Sequence, residues 1–319
     1  MSSDRLTEAA DLTFADIEAL IAGELCALSP RDADAEVDLA EALDTYHAAG
    51  RAALRRRDEQ AWFQARITPT EWAMAEEAFA FQIAPKLDET VGVDGAWWFL
   101  RKYPCWRIRV RTSDHAAMTE LLNELVANGA IASWRAGIYE PEAAAFGGMT
   151  AMRTVHDLFY ADSRGVVAYT RQGTPELGRR ELSLLLLRAM HQQAGLDWFE
   201  SGDVFAQVGE MRPIPDDADT ARTEMLATRM KPLLHRAVCL DTVASSDIGR
   251  GAYIEPWLSG FNDAGRKLGE AATNGSLDRG LRAVLAQVVI FHWNRLGLSA
   301  PAQSILAHAA KTAFLPSGS

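Results

Sequence analysis

AWWFLRKY (Ala96–Tyr103) and CWRIRVRT (Cys105–Thr112) stand out from the alanine-rich sequence before them and decide how the chain reads. Both segments are short and rich in aromatic and β-branched residues. In the second, Arg107, Arg109 and Arg111 alternate with Ile108 and Val110. A repeat of two is the repeat of a strand, so the three arginines share one face of a sheet. Guanidiniums gathered on one face repel each other unless an anion or partner carboxylates lie between them. The face either pairs with internal acids such as Glu140 and Glu142 or holds an acidic ligand, and Arg101 on the preceding strand is expected to join it.

Downstream, a helix predicted over Ala116–Asn128 and closed by Gly129 leads to a third strand in IASWRAGIYEP (Ile131–Pro141). Strand, helix, strand in that order makes an α+β core with a small central β-sheet. From Met149 onward helical periodicity dominates: in TAMRTVHDLFYADSRGVVAYT (Thr150–Thr170), in RRELSLLLLRAMHQQAGL (Arg179–Leu196), around Pro256–Ala272 and Leu277–Leu296, and in a short helix before LPSGS. EMRPIPDDADTARTEM (Glu210–Met225), polar and with two prolines, reads as a loop or internal linker. Upstream, residues 1–90 read as an N-terminal helical extension. Thr13 caps a segment with Phe14, Ile17, Leu20 and Ile21 on one side, and the run from Asp32 to Phe63 continues in helical style. A loop with Gly92, Asp94 and Gly95 separates the extension from residues 91–319. The expectation is a helix-rich α+β protein in which both parts form one compact unit.

Composition narrows the function classes. A chain of 319 residues, 48% hydrophobic, buries a substantial core. Its longest apolar stretches, Leu182–Leu187 and Val284–Phe291, fall short of the roughly 20 residues a membrane span needs, so no membrane partner is expected. The start MSSDRLTEAADLTF lacks the basic-then-apolar build of a secretory signal, and the three separated cysteines Cys26, Cys105 and Cys239 form neither a disulfide framework nor a metal knuckle. A cytoplasmic protein is the expectation. A net charge of −11 repels a phosphate backbone, which argues against nucleic acid.

Glycine-rich phosphate loops, paired-cysteine zinc patterns, helical His-Glu-x-x-His and Gly-x-Ser-x-Gly elbows are all absent from the sequence, so no nucleotide or metal cofactor is expected. Three segments other than the arginine face carry polar groups of interest. In VVIFHWNRLGLS (Val288–Ser299), His292 and Arg295 continue the apolar helix face of Leu281, Val284, Leu285 and Val288, and with Asn294 they end that face in three polar side chains that need partners or a cavity. His292 is there either a hydrogen-bonded core residue or an acid/base group. ASSDIGRGAYIEPW (Ala244–Trp257) offers Ser245, Ser246, Asp247 and Tyr253, which serve equally for capping and turn chemistry. YEPEAAAFGG (Tyr139–Gly148) is either a simple turn or a loop carrying Tyr139, Glu140 and Glu142 into a cleft.

Taken in order, WWFLRKY with WRIRVR, GAIASWRAGIYEPEAAAFGG, LFYADSRGVV and FHWNRLGLS resemble the elimination-type domain of class I lantibiotic dehydratases, over residues 95 to 312. The stand-alone versions in thiopeptide biosynthesis are the nearest match. The resemblance implies action on a ribosomal precursor peptide, of leader plus dehydrated, azole-containing core. The reaction is one of two: glutamate elimination from a glutamylated serine or threonine, or the joining of two dehydroalanines into a pyridine by a formal (4+2) cycloaddition with loss of water and leader.

Departures from the dehydratase pattern separate the two. The arginine expected just before the aromatic-Gly-Gly is Ala145, and the histidine expected four residues before the Asn-Arg pair is Ile290, although His292 lies two residues before it. Arg109, Arg111 and Glu142 match the pattern. The sequence therefore reads as a pyridine synthase without cofactor. His292 is expected as acid/base, with Tyr253 and Ser246 donating to the reacting amide. Arg109, Arg111, Arg295, Asn294, Tyr139 and Glu142 are expected to bind the substrate. The alternatives are a glutamate-eliminating subunit of a split dehydratase and a non-catalytic leader-binding scaffold. Monomer and homodimer both stay open.

Overall fold

A computed structural model of the chain describes residues 44–50, 61–92, 96–173, 175, 177–214, 220–235 and 253–315. The Thr13-capped segment and Ser245, Ser246 and Asp247 lie outside these. The chain divides into two units, Met1–Trp62 and Phe63–Ser319. In the first, residues 44–50 are helical.

In chain order the described elements begin with strand β1 (Trp62–Thr68). A helical run follows, made of a 3₁₀ turn, an α turn and a π turn, and it ends in α1 (Ala84–Val91). Then come β2 (Ala96–Lys102), β3 (Cys105–Arg111), α2 (His115–Ala127) and β4 (Ser133–Gly137). The rest is helical: α3 (Met149–Thr170), α4 (Arg179–Gln193), α5 (Trp198–Met211), α6 (Thr220–His235), α7 (Ile254–Thr273), α8 (Leu281–Arg295) and α9 (Ala300–Phe314). Among the described residues no helix is long and apolar enough to cross a membrane.

The helix-rich α+β class with a small central sheet is what the structure has, with two local corrections. The first is β1, inside the stretch read as helical. Its Phe63, Ala65 and Ile67 are buried on one side, while Gln64 and Arg66 alternate to the other. This seven-residue period of two sits directly behind an alanine-rich run, and its β4 partner lies far along the chain, Gln64 pairing with Gly137 and Thr68 with Ser133. The sheet order is β2-β3-β1-β4, so β1 is an inner strand. The second is Glu210–Met225, where α6 already begins at Thr220.

Register also moves Arg101. β2 and β3 pair antiparallel with Trp98 opposite Arg109 and Arg101 opposite Trp106. Directly opposed residues share a face, so Arg101 lies on the Trp106 side and not with the other arginines. Its guanidinium sits 4.6 Å over the Trp106 ring and 2.7 Å from Glu76, whose carboxylate also pairs with Arg179. Burial raises the Glu76 carboxyl, but the Arg101 and Arg179 contacts outweigh it and hold the pKa at about 2.

Underneath the sheet, Trp97, Phe99, Trp106, Ile108 and Val110 are all buried. Phe79 and Phe99 stack on Trp106 with ring centroids 5.0 and 4.9 Å apart. β2 is an edge strand, and an uncovered edge leaves backbone groups unpaired. Here side chains from the helices close it: Phe99 N–H donates to Ser163 Oγ of α3 (3.2 Å), and Phe99 C=O accepts from Arg295 Nε of α8 (3.0 Å). In the helical part, α7 packs on α3 and α4, and α9 on α5 and α6. The approach of α7 to α3 depends on Gly165, where a Cβ would lie 2.1 Å from the Trp257 ring.

Candidate active site

Arg109 stands on β3 directly opposite Trp98 of β2. It is 3% exposed, on the sheet face opposite to the Trp106 core. Its Nε donates to Gln64 Oε1 of β1 at 2.7 Å, and its guanidinium lies between the rings of Trp98 (4.3 Å) and Tyr139 (4.4 Å). Cation–π contact of this kind, removed from water, is worth on the order of 2 kcal/mol. Gln64 Nε2 donates to the Ile138 carbonyl (2.7 Å), which pins the chain leaving β4 and turns Tyr139 inward. Glu142 Oε1 reaches within 3.5 Å of Arg109 Nη2. Of the two sequence readings of the arginine face, internal pairing holds for Arg109, while Arg111 is exposed and Arg107 half-buried.

Tyr139 Oη lies 2.6 Å from His156 Nε2 of α3. Burial first, then the charges of Arg109 and Arg111, push the His156 imidazole down to about 4, so it is neutral at pH 7. Burial pushes the Tyr139 phenol up, against the opposing pull of Arg109. With the phenol protonated and the imidazole neutral, Tyr139 donates and Nε2 accepts, which leaves the ring proton on Nδ1. Among the described residues, Arg109 Nη1, Glu142 Oε2 and Trp98 Nε1 are buried without a hydrogen bond. Buried polar atoms are nearly always paired, so this cluster has donors and an acceptor to offer to a ligand. A phenol, a neutral imidazole, a carboxylate and a guanidinium linked in a chain by these contacts make an acid/base set with a fixed cation beside it.

His292, Arg295 and Asn294 are placed elsewhere. His292 is 1% exposed, its Nδ1 2.8 Å from Asp162 Oδ1 and its Nε2 3.0 Å from Ser183 Oγ. Asp162, fully buried on α3, also accepts from Trp257 Nε1 (2.9 Å) and from Arg295 Nη1. Burial raises its carboxyl, but the charges and hydrogen bonds of His292 and Arg295 outweigh it and hold the pKa down. Ser183 Oγ in turn accepts from Trp293 Nε1 at 2.8 Å. This buried knot joins α3, α4, α7 and α8 and, through Arg295 and Phe99, the edge of β2. Both nitrogens of His292 are engaged by it, so the ring stands in the core and not in a cleft. Asn294 Oδ1 accepts from Gln303 Nε2 of α9 (2.9 Å), and Tyr253, half-buried ahead of α7, meets Tyr169 edge-on at 6.3 Å.

The two clusters share a wall. Arg295 lies 5.8 Å over the Trp98 ring on which Arg109 also rests, and 4.3 Å over Phe159, which touches Trp98. Of the expected site residues, the structure thus brings Arg109, Tyr139 and Glu142 together and sets His292 and Arg295 behind them. Sequence reading missed His156, Gln64 and Asp162. A signal for His156 existed: it falls four residues after Met152 and three before Phe159, on the buried stripe of α3.

Comparison with known proteins relates the fold to a known family. Residues 62–314 match the profile of the family described as lantibiotic biosynthesis dehydratase C-term. The fold is similar to that of the tRNA dependent lantibiotic dehydratase MibB from Microbispora sp. 107891, with a TM-score of 0.57, 20% identity and coverage of 79% of this chain. It spans only 28% of that dehydratase's length. It is also similar to TsrL (TM-score 0.55, 14% identity, 79% of this chain and 94% of that one). The third likeness is to the pyridine synthase TbtD from thiomuracin biosynthesis (TM-score 0.53, 14% identity, 80% and 97%). At such identities the likeness is one of fold. No curated protein sequence matches the chain.

Proposed function

The chain belongs to the lantibiotic dehydratase C-terminal family, and from that premise we propose that it modifies a ribosomally made precursor peptide by joining two dehydroalanines into a pyridine. The reaction is a formal (4+2) cycloaddition followed by loss of water and of the leader peptide. The observation that carries the reading is the Arg109 cluster: Tyr139 and His156 in contact at 2.6 Å, beside a guanidinium and a carboxylate that each keep a buried atom unpaired among the described residues. Ala145 and Ile290, where the dehydratase pattern has arginine and histidine, favour ring formation over glutamate elimination.

One dehydroalanine amide must be held as its iminol tautomer, a 2-azadiene, within reach of the second alkene. Holding both ends of one flexible peptide supplies roughly 7 to 11 kcal/mol in well-oriented intramolecular reactions. The amide proton leaves nitrogen and arrives on the carbonyl oxygen. Tyr139 Oη takes the amide proton as the phenol passes its own to His156 Nε2, and the reverse transfer delivers a proton from Oη to the carbonyl oxygen, so the pair shuttles it without forming a phenolate. Arg109 Nη1 and Trp98 Nε1 donate to the carbonyl as it gains negative character. In each elimination that follows, Glu142 takes a proton from the ring carbon and the Tyr139 phenol gives one to the leaving group, first the hemiaminal hydroxyl as water and then the leader's amide nitrogen. The proton on Glu142 then restores the phenol.

A second reading, glutamate elimination, has one observation in its favour: Arg279 Nη1 donates to the Ala145 carbonyl at 3.1 Å, which puts an exposed arginine where the pattern's arginine is missing. One experiment separates the readings. The purified protein is incubated with a dehydrated, azole-containing precursor and, in parallel, with a glutamylated one, and the products are weighed. Ring formation with leader loss is expected; loss of glutamate alone supports the second reading, and binding without mass change a scaffold.

A further inference from the structure

On the sheet face that carries Arg109, three neighbouring strands each turn an arginine outward. Arg66 of β1 stands opposite Arg135 of β4. Contacts from Arg109 to Gln64 and from Cys105 to Thr68, either side of it, set Arg107 of β3 beside Arg66. The row therefore runs Arg107, Arg66, Arg135 across strands about 5 Å apart. Lys102, paired with Cys105, and Arg111 extend it. Arg66, Arg135, Arg111 and Lys102 are exposed and Arg107 is half-buried.

Nothing on the strands offsets this charge. β1 to β4 contain no aspartate or glutamate, and among the described residues none of these five cations makes a hydrogen bond or ion pair. Like charges directly opposite each other destabilise a sheet, so an unpaired row costs stability until an anion arrives. A chain of net charge −11 has nevertheless gathered five unpaired cations on one small face.

We propose that this face docks an acidic stretch of the peptide substrate, with Arg66, Arg107 and Arg135 pairing its carboxylates and the reacting segment led on to the Arg109 cluster. The proposal rests on the reading that the substrate is a peptide. A peptide fits better than a nucleic acid. The row is only three strands wide, and a phosphate backbone running past it meets the negative field of the rest of the chain. Carboxylates of a short peptide match the planar forks of arginine one to one.

The test uses the full chain, wild type and the variant R66Q/R107Q/R135Q, with three fluorescein-labelled probes: a short peptide alternating Glu with Ser, its Gln counterpart, and a single-stranded DNA oligonucleotide of equal charge. The wild type is expected to bind the Glu peptide at least tenfold more tightly than the Gln peptide, and the triple variant to lose at least tenfold for the Glu peptide. The variant melts no lower than the wild type, since it loses repulsion and no bond. Equal binding of the Glu peptide by both proteins overturns the proposal. So does tighter binding of the oligonucleotide, lost in the same variant, which assigns the face to nucleic acid. A bis-dehydroalanine core peptide without acidic residues is turned over equally by both proteins if ring formation is the reaction. No ring from any substrate, with Glu-peptide binding as expected, removes the ring-forming reading and leaves the docking face in place.

Discussion

Replacing Asp162 by Asn tests the buried knot behind the site. The change keeps volume, so it opens no cavity. It removes the negative charge that faces Arg295, 1% exposed, and converts one carboxylate oxygen into a donor aimed at His292 or Arg295, which themselves donate. Breaking a buried ion pair by removing one partner costs about 3 to 5 kcal/mol, because the remaining charge stays desolvated. For a domain of this size each kcal/mol moves the melting temperature by roughly 2 to 4 °C, so a drop of about 6 to 20 °C is expected. Thermal and urea denaturation measure it. The double variant D162L/R295M removes both charges, and its loss falls short of the sum of the single losses by on the order of 1 to 3 kcal/mol. A loss below about 1 kcal/mol for D162N, or full additivity in the double variant, refutes the view that this pair holds the edge of β2 to the helices.

Tyr139→Phe and His156→Ala each lower turnover of a bis-dehydroalanine peptide by roughly tenfold or more, as loss of a proton relay does, with little change in melting; normal turnover in both returns the pair to a packing role. His292→Asn, which keeps a donor for Asp162, costs about 1 kcal/mol of stability and leaves turnover intact below the melting range; abolished turnover in a folded variant assigns His292 to the chemistry after all. Stability falls on acidification. His156 sits at about 4 and His191 at about 3 when folded, against 6.5 unfolded, so below 6.5 the unfolded chain takes up protons that the folded one refuses. Glu76, at about 2 against 4.5, adds a further loss between those values, and urea midpoints across the acid range read the sum. His156→Gln flattens the upper part of that slope. Gly165→Ala forces Trp257 away from α3 and with it the hydrogen bond to Asp162, and a loss of about 2 kcal/mol or more is expected in the same assay.

Local backbone geometry explains which elements were legible. In β3 the alternation of arginine with Ile108 and Val110 puts Arg107, Arg109 and Arg111 on one face whatever the sheet does, because successive side chains of a strand point to opposite sides. The predicted helix over Ala116–Asn128 begins at His115, where Asp114 caps the N–H of Ala117, and its closing Gly129 has a φ of +79°. The long helices follow their apolar stripes in the same way. Strand β1 was hidden because its pairing lies elsewhere in the chain, and Arg101 changed sides because register, not periodicity, chooses its face.

The position of His292 on a buried stripe could be read from spacing alone, but spacing is silent about what that stripe meets. Asp162, 130 residues away, is what turns its ring into a strut, and Tyr139 from the loop after β4 is what gives His156 a hydrogen-bond partner. Composition and periodicity thus settled the class of fold, the helical and extended segments, and the arginine face. Contact between distant elements chose which polar groups lost water and which met a partner of opposite character, since burial and charge at a side chain are properties of everything packed around it.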